Sequence, residues 1–447
     1  MPFNPLEPAD LVRDEIAQLT TSGYLLERVL TPDQMADVYG HDPGRETAAR
    51  IMAEIRHAPR GVSWHYAEPD DLASILAESA TTDDERTSLP ADYRHRVRGA
   101  WTGRVAGCML GKPIEDGVNW TWQRIEQYLQ LTNSLPLVDY IPALEPMPAG
   151  YKFTPSWGQT TRGRVAGSAR DDDIDYTILN LQLLETYGLD FETEHVAAFW
   201  LTYLPVLQIF TAERAAYRNL VNGLRPPATA GWDNPYREWI GAQIRADIFG
   251  YVLPGRPRAA AMLAYRDATL SHTANGIYGA MWAAALVSLA FDSSSTSECL
   301  LRSIGHVPAR SRLAAALQEV IGLHAAGQSW RQCRTRLDEL FGHYAWVHTI
   351  GNACVVAAAL LWGDDDGART LELTIRAGWD TDSNGATVGS IIGAVHGAAA
   401  IPATLTQPIG DHVRTAVFGA NPASLSDLVD RTVALGRRQA EDHDGRR

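Results

Sequence analysis

Four carboxylates, Asp171, Asp172, Asp173 and Asp175, fall within five positions of the stretch "SARDDDIDYT" (168–177), and the apolar run "ILNLQLLETYG" follows at once. Either these acids stand at an exposed helix start or something positive holds them together. The positive end of a helix dipole favours a negative charge by about 0.3–1 kcal/mol, enough for one or two of them. Adjacent like charges repel, so the full group asks for more. A hard divalent cation, which takes oxygen ligands, removes the difficulty.

A second oxygen-rich group lies far downstream in "GWDTDSNG", where Asp380, Asp382 and Ser383 crowd a short turn between two helices. The helix before it turns Leu371 and Ile375 inward and ends at Gly378, a natural C-cap. The helix after it carries Gly385, Gly389, Gly393 and Gly397 at a constant spacing of four. A glycine inside a helix costs about 1 kcal/mol relative to alanine, so a whole glycine face implies close approach of another backbone. Such packing would hold the turn rigidly against the first acidic group. Glu115, at the end of "GCMLGKPIE", adds a carboxylate suited to general acid/base work or to orienting a water beside a metal. "GCMLGKP" is not a phosphate loop. Its spacing is wrong, and Pro113 stands where a magnesium-binding Ser or Thr belongs.

The elements that must position these residues are helices. After the acidic run Ile174, Ile178 and Leu181 recur at spacings of four and three, one buried face. Strand-like alternation is scarce, and "GLRPPATAGWDNP" (223–235) reads as a loop, so an all-α fold is expected. Residues 1–96 are polar and helix-rich, with Thr31 as N-cap and Pro32 at the first helical position of one segment. From Val97 small residues and long apolar helical patterns take over. Two regions are therefore expected: an N-terminal helical extension, 1–96, and a catalytic domain, 97–447. No internal repeat or low-complexity tract stands out.

A formal net charge of −14 argues against a nucleic-acid backbone as partner, because that binding is driven by neutralising phosphates. The longest apolar stretches, such as "GAMWAAALVSLAF" (279–291), are shorter than the roughly 18–20 residues of a membrane span and read as core helices. No secretory pattern opens the sequence, so a cytoplasmic location is expected. Cys108, Cys299, Cys333 and Cys354 lie singly, without zinc-site spacing, and read as reduced packing residues.

The order G-x-x-x-G-x-x-x-G-x-x-x-E (Gly103 to Glu115), an acidic run opening a helix, and D-T-D-S before a glycine-spaced helix resembles the ADP-ribosylglycohydrolase family from about Val97 to Arg437. That family includes the enzyme that reactivates ADP-ribosylated dinitrogenase reductase. The resemblance implies an all-α orthogonal helical bundle with two magnesium ions, manganese in some members, in a cleft where ADP-ribose is cut from its acceptor. It places metal ligands at Asp171, Asp172, Asp173, Asp380, Asp382 and Ser383, and the functional acid at Glu115. A histidine-containing turn lines the ligand cleft in family members, which implies substrate contacts at His272, Asn275 and Gly276, with His348 and Asn352 offered similarly. The chain departs from the family's T-D-D-T: Asp171 replaces the first threonine and Ile174 the last.

The expected activity is metal-dependent hydrolysis of an N- or O-glycosidic bond at the anomeric carbon of ADP-ribose or a related ribosyl compound, free or protein-linked. The competing expectations are a hydrolase of small nucleoside-like or NAD-derived metabolites and a non-catalytic ADP-ribose-binding or structural relative. Asp175 reads as a solvated or salt-bridged residue, and Trp379 as a residue placed to flank a bound base. Two further acidic stretches read as decoys, "TTDDE" (81–85) as a solvated turn and "GDDDG" (363–367) as an exposed loop whose last aspartate caps the next helix.

Overall fold

The computed structural model describes residues 6–40, 44–80 and 88–444. The decoy at 81–85 lies outside them. The described residues are overwhelmingly helical; their β-structure is one two-residue antiparallel ladder, His412–Val413 with Ala423–Ser424, paired His412 to Ser424, beside isolated bridges. This is the all-α architecture expected.

At its centre two glycine-rich helices, Tyr93–Gly111 and Thr381–His396, run antiparallel and in direct backbone contact. Gly99 faces Gly393, Gly103 faces Gly389 and Gly107 faces Gly385, while Gly111 abuts Thr381. A methyl group at any of these positions would overlap the opposing backbone, which is why the sequence gives up helix propensity along both faces. Because the pair is antiparallel, the end of the first helix meets the start of the second. Thr381 secures the junction by donating its hydroxyl to the Gly111 carbonyl at 2.8 Å.

Around this pair pack helices buried on nearly every side, notably Ala274–Ala290 and Thr349–Trp362. Among the described residues no helix is long and apolar enough to cross a membrane. All four cysteines are free and buried. The stretch 223–235 differs slightly from expectation. Pro227, with its φ fixed, precedes a single helical turn, Ala228–Gly231.

The N-terminal helices Pro8–Thr21, Pro32–Gly40 and Gly44–Ile55 close over a small core of their own that includes Val12, Ile16, Ile51 and Ile55. Thr31 caps the second of them as expected. Its hydroxyl accepts from the Gln34 N–H at 3.3 Å, and Gln34 returns the bond to the Thr31 N–H at 2.8 Å. Residues 67–80 then run along the larger body through backbone bonds such as Ala67 N–H to Arg310 O at 3.0 Å and Ala309 N–H to Glu78 O at 3.0 Å.

Candidate active site

Three chain segments converge where the glycine helices meet. The first helix ends in the turn Lys112–Ile114, which hands the chain on to Glu115. The second begins after two successive left-handed residues, Gly378 at φ +72° and Trp379 at φ +59°, which swing Asp380 and Asp382 toward the junction. Arg334 braces this strained corner: its guanidinium lies 4.1 Å from the Trp379 ring centre and donates to the Ala377 carbonyl at 2.7 Å. Trp379 therefore serves the turn, and it is absent from the cavity lining described below. Asn352 backs the same turn, its side-chain oxygen accepting from the Asp380 N–H at 3.2 Å and from Asn384 at 2.7 Å.

The third segment is the helix Asp172–Tyr187, capped by Asp171, whose Oδ1 accepts from the Asp173 N–H at 2.9 Å. Arg104, buried in the first glycine helix, donates to the Asp173 carbonyl at 3.0 and 2.6 Å and pairs with Asp247 at 2.8 Å, which locks the acidic helix start to the glycine pair. Ser383 reaches across to Asp173 Oδ2 at 3.4 Å, so the two acidic groups touch.

Two sets of candidate ligand atoms result, each within 4.8 Å of one another: Cys108, Asp171, Asp173 and Asp382, and Glu115, Asp380 and Asp382. Asp382 is common to both. The carboxylate oxygens, unlike the Cys108 thiol, are donors for a hard dication; Asp173 Oδ1 is a buried oxygen without a hydrogen-bond partner, 3.9 Å from the Arg104 guanidinium. The acids open onto a cavity of about 390 Å³ lined by Glu115, Asp172, Asp173, Asp380, Asp382 and Ser383. Phe210, Thr211, Trp239 and Trp346 also line it.

His272, Asn275 and Gly276 stand apart from this lining. Asn275 is spent on structure. Its amide nitrogen donates to Glu68 and Glu238, each at 2.8 Å, and its oxygen accepts from the Leu313 N–H at 3.0 Å. His272 is buried with Nδ1 2.8 Å from Ser271 Oγ, and Gly276 lies close under the Arg237 carbonyl. His348 caps Thr349–Trp362. Asp175 is salt-bridged to Arg170 at 2.6 Å and accepts from Thr415 at 2.6 Å, and Asp366 caps Gly367–Arg376.

With this geometry in view, a family model for ADP-ribosylglycohydrolase matches residues 89–442. The chain belongs to the ADP-ribosylglycohydrolase family. Among solved structures, an "ADP-ribosylglycohydrolase-related protein complex" is similar at 16% identity and a TM-score of 0.44, covering 78% of this chain and 99% of that one. None of the curated proteins compared matches the chain. Membership makes a glycohydrolase, cleaving a glycosidic bond, the assignment at the level of class.

The electrostatics of the site are uneven. Burial first, and the charge of Asp171 next, push Asp172 up to about 7. Burial and neighbouring acids likewise hold Glu115, Asp173 and Asp380 well above the ordinary carboxylate range. Asp171 goes the other way. Burial opposes its charge, but Lys112 and the bond from Asp173 outweigh that and hold it at about 2. Lys112 is the residue that sequence reasoning passed over: its Nζ contacts Asp171 Oδ2 directly and lies 3.5 Å from Asp382 and 3.6 Å from Glu115. Its position three residues before Glu115 was the available signal.

Proposed function

We propose that this protein hydrolyses a glycosidic bond at the anomeric carbon of a ribose, in ADP-ribose or a related ribosyl compound, with a divalent cation, magnesium or manganese, held by the clustered carboxylates. Residues 97–447 form the catalytic unit in this reading, and 1–96 an extension docked on it. One observation carries the proposal: Asp172 and Asp380, far apart in the chain, face the same cavity beside Glu115.

In this reaction the C1′–N or C1′–O bond breaks and the oxygen of a water attaches to C1′. One water proton stays on the new C1′ hydroxyl and the other goes ultimately to the leaving group. The cation, where bound, supplies Lewis-acid activation of water and a grip on ribose hydroxyls. The chain supplies the rest. Glu115, facing the cavity beside Asp380 and Asp382, is the group to take a proton from the attacking water and relay it to the departing atom. The carboxylates around it stabilise the positive charge that grows on the sugar ring. Phe210, Trp239 and Trp346 offer apolar faces that displace water and receive the ring system attached to the ribose.

A small nucleoside-like or NAD-derived substrate is the second reading, and the lining favours it on one point. The cavity's basic residues are Lys112 and Arg170, and each is already paired, with Asp171 and Asp175. Neither is free to clamp a diphosphate. A protein-linked substrate, as for the enzyme that reactivates dinitrogenase reductase, is the competing arm.

The test incubates the full chain with ADP-ribosyl-arginine, ADP-ribosyl-serine and free nucleosides, with and without added magnesium or manganese, and identifies products by mass spectrometry. Hydrolysis of one class is expected, lost after chelation, restored by metal and abolished by Asp380→Ala. Undiminished turnover in a metal-stripped sample refutes the proposal.

A further inference from the structure

The two sets of candidate ligand atoms suggest room for two cations, as the family resemblance implies, but the first set already contains a positive charge. Lys112 directs its ammonium at Asp171 Oδ2, with Asp382 Oδ2 at 3.5 Å. Asp171 Oδ1 is committed to the Asp173 N–H at 2.9 Å. Both oxygens of Asp171 are therefore satisfied by the protein itself. Where the family has a neutral threonine, this chain has a carboxylate, and where that carboxylate points it has a lysine.

The lysine is also held in place. Its backbone closes the first glycine helix and begins the turn Lys112–Ile114, and its carbonyl accepts from Thr154 Oγ1 at 2.8 Å. Its side chain is 13% exposed, and Asp171 is 2% exposed. Withdrawing the ammonium would strand a buried carboxylate without its partner, and adding a dication beside it would set like charges together in a poorly solvated space. The second set differs. Asp380 makes no ion pair with Lys112 and Glu115 is reached by it only at 3.6 Å, while Asp382 accepts from the Ser383 N–H at 3.0 Å and meets Lys112 only at 3.5 Å, so this set is the less satisfied of the two.

We propose that the Lys112 ammonium takes the place of one of the two metal ions, so that this protein is a one-cation member of its family, with its ion held by Glu115, Asp380 and Asp382. The inference rests on the metal-dependent reading above. Asp171 is then the counter-ion of Lys112 and the cap of its helix, and the pair Lys112–Asp171 does the electrostatic work of an ion and its ligand.

The experiment strips the full chain with a chelator, equilibrates it with manganese alone, and counts bound ions by metal analysis while recording the electron paramagnetic resonance spectrum. The wild-type protein is expected to hold one manganese per chain with the six-line signal of an isolated ion. Lys112→Met is expected to hold two, with the broadened signal of a coupled pair, and Lys112→Arg one. Two ions in the wild type overturn the inference and leave the metal-dependent reading standing. No bound ion overturns both. A folded Lys112→Met variant that still holds only one ion also overturns it, and the wild-type count alone decides the matter where that variant does not fold.

Discussion

Asp172→Asn separates what the acidic cluster does for the fold from what it does for a cation. Asp172 makes no ion pair in the structure, and burial together with Asp171 raises its pKa from 3.8 to about 7. A raised carboxylate pKa means that the folded chain keeps a proton the unfolded chain has released. Its stabilising contribution is complete below about 3.8 and is lost as pH rises through about 7. A shift of roughly three units corresponds to about 4 kcal/mol. Asp172 is partly open to the cavity, so screening reduces this to about 2 kcal/mol. With an unfolding entropy near 2.1 cal/mol/K per residue, that is about 2 °C in Tm for a chain of this size. In chelator at pH 8 the metal-free variant is expected to melt about 2 °C above wild type, and at pH 4 the difference should vanish. Cation at a hundredfold its Kd adds about 2.7 kcal/mol to the wild type, roughly 3 °C, and much less to the variant, which lacks the Asp172 charge that acts on Asp380 in the same cavity. The order of stability thus reverses on adding metal. A variant that melts below wild type in chelator at both pH values, with the same gain from metal, would refute the reasoning.

The glycine contact predicts opposite outcomes for similar substitutions. Gly389→Ala drives a methyl into the Gly103 backbone and should cost more than about 3 kcal/mol by denaturant unfolding, whereas Gly322→Ala, on an open helix face, should stabilise by about 0.5–1 kcal/mol. Burial is the main reason that His348 has its pKa lowered to about 3, so the unfolded chain binds the extra proton as pH falls below about 6.5. Between pH 6.5 and 5 the wild type should therefore lose about 2 kcal/mol more stability than His348→Asn, which keeps a helix cap; parallel pH profiles in urea titrations would count against this. Glu68 fastens the N-terminal region by accepting from the Arg312 backbone N–H at 3.0 Å, from its Nε at 2.9 Å and from Asn275 at 2.8 Å, all in a buried setting. Glu68→Ala should lower stability by about 3 kcal/mol, and an unchanged melting curve would show that this contact holds nothing.

Features local to a few residues of chain were legible in the sequence. The acidic run had to open a helix because an apolar face at spacings of four and three follows it, and Asp171 does cap that helix. The constant glycine spacing announced a backbone-to-backbone contact, since nothing else compensates for lost helix propensity; the structure supplies the partner, a second glycine face at Gly99, Gly103 and Gly107. Asp366 as a cap and Asp175 as a paired acid were equally readable, because each depends on neighbours within a turn or on ordinary charge pairing.

What the tertiary structure decided is where side chains go once those helices meet. His272 and Asn275 carry functional groups that suit a cleft, yet whether they face it depends on how Ala274–Ala290 packs, and Asn275 is turned toward Glu68 and Glu238. The aromatic lining of Phe210, Trp239 and Trp346 comes from three separated segments with no common spacing. Lys112 and Asp171 are 59 residues apart. In the sequence one looks like part of a failed phosphate loop and the other like a ligand. Only the antiparallel glycine contact, by fixing where the first helix ends, brings the ammonium onto the carboxylate. Sequence periodicity records which face of an element is buried; the identity of the partner across that face follows from close packing of the whole chain.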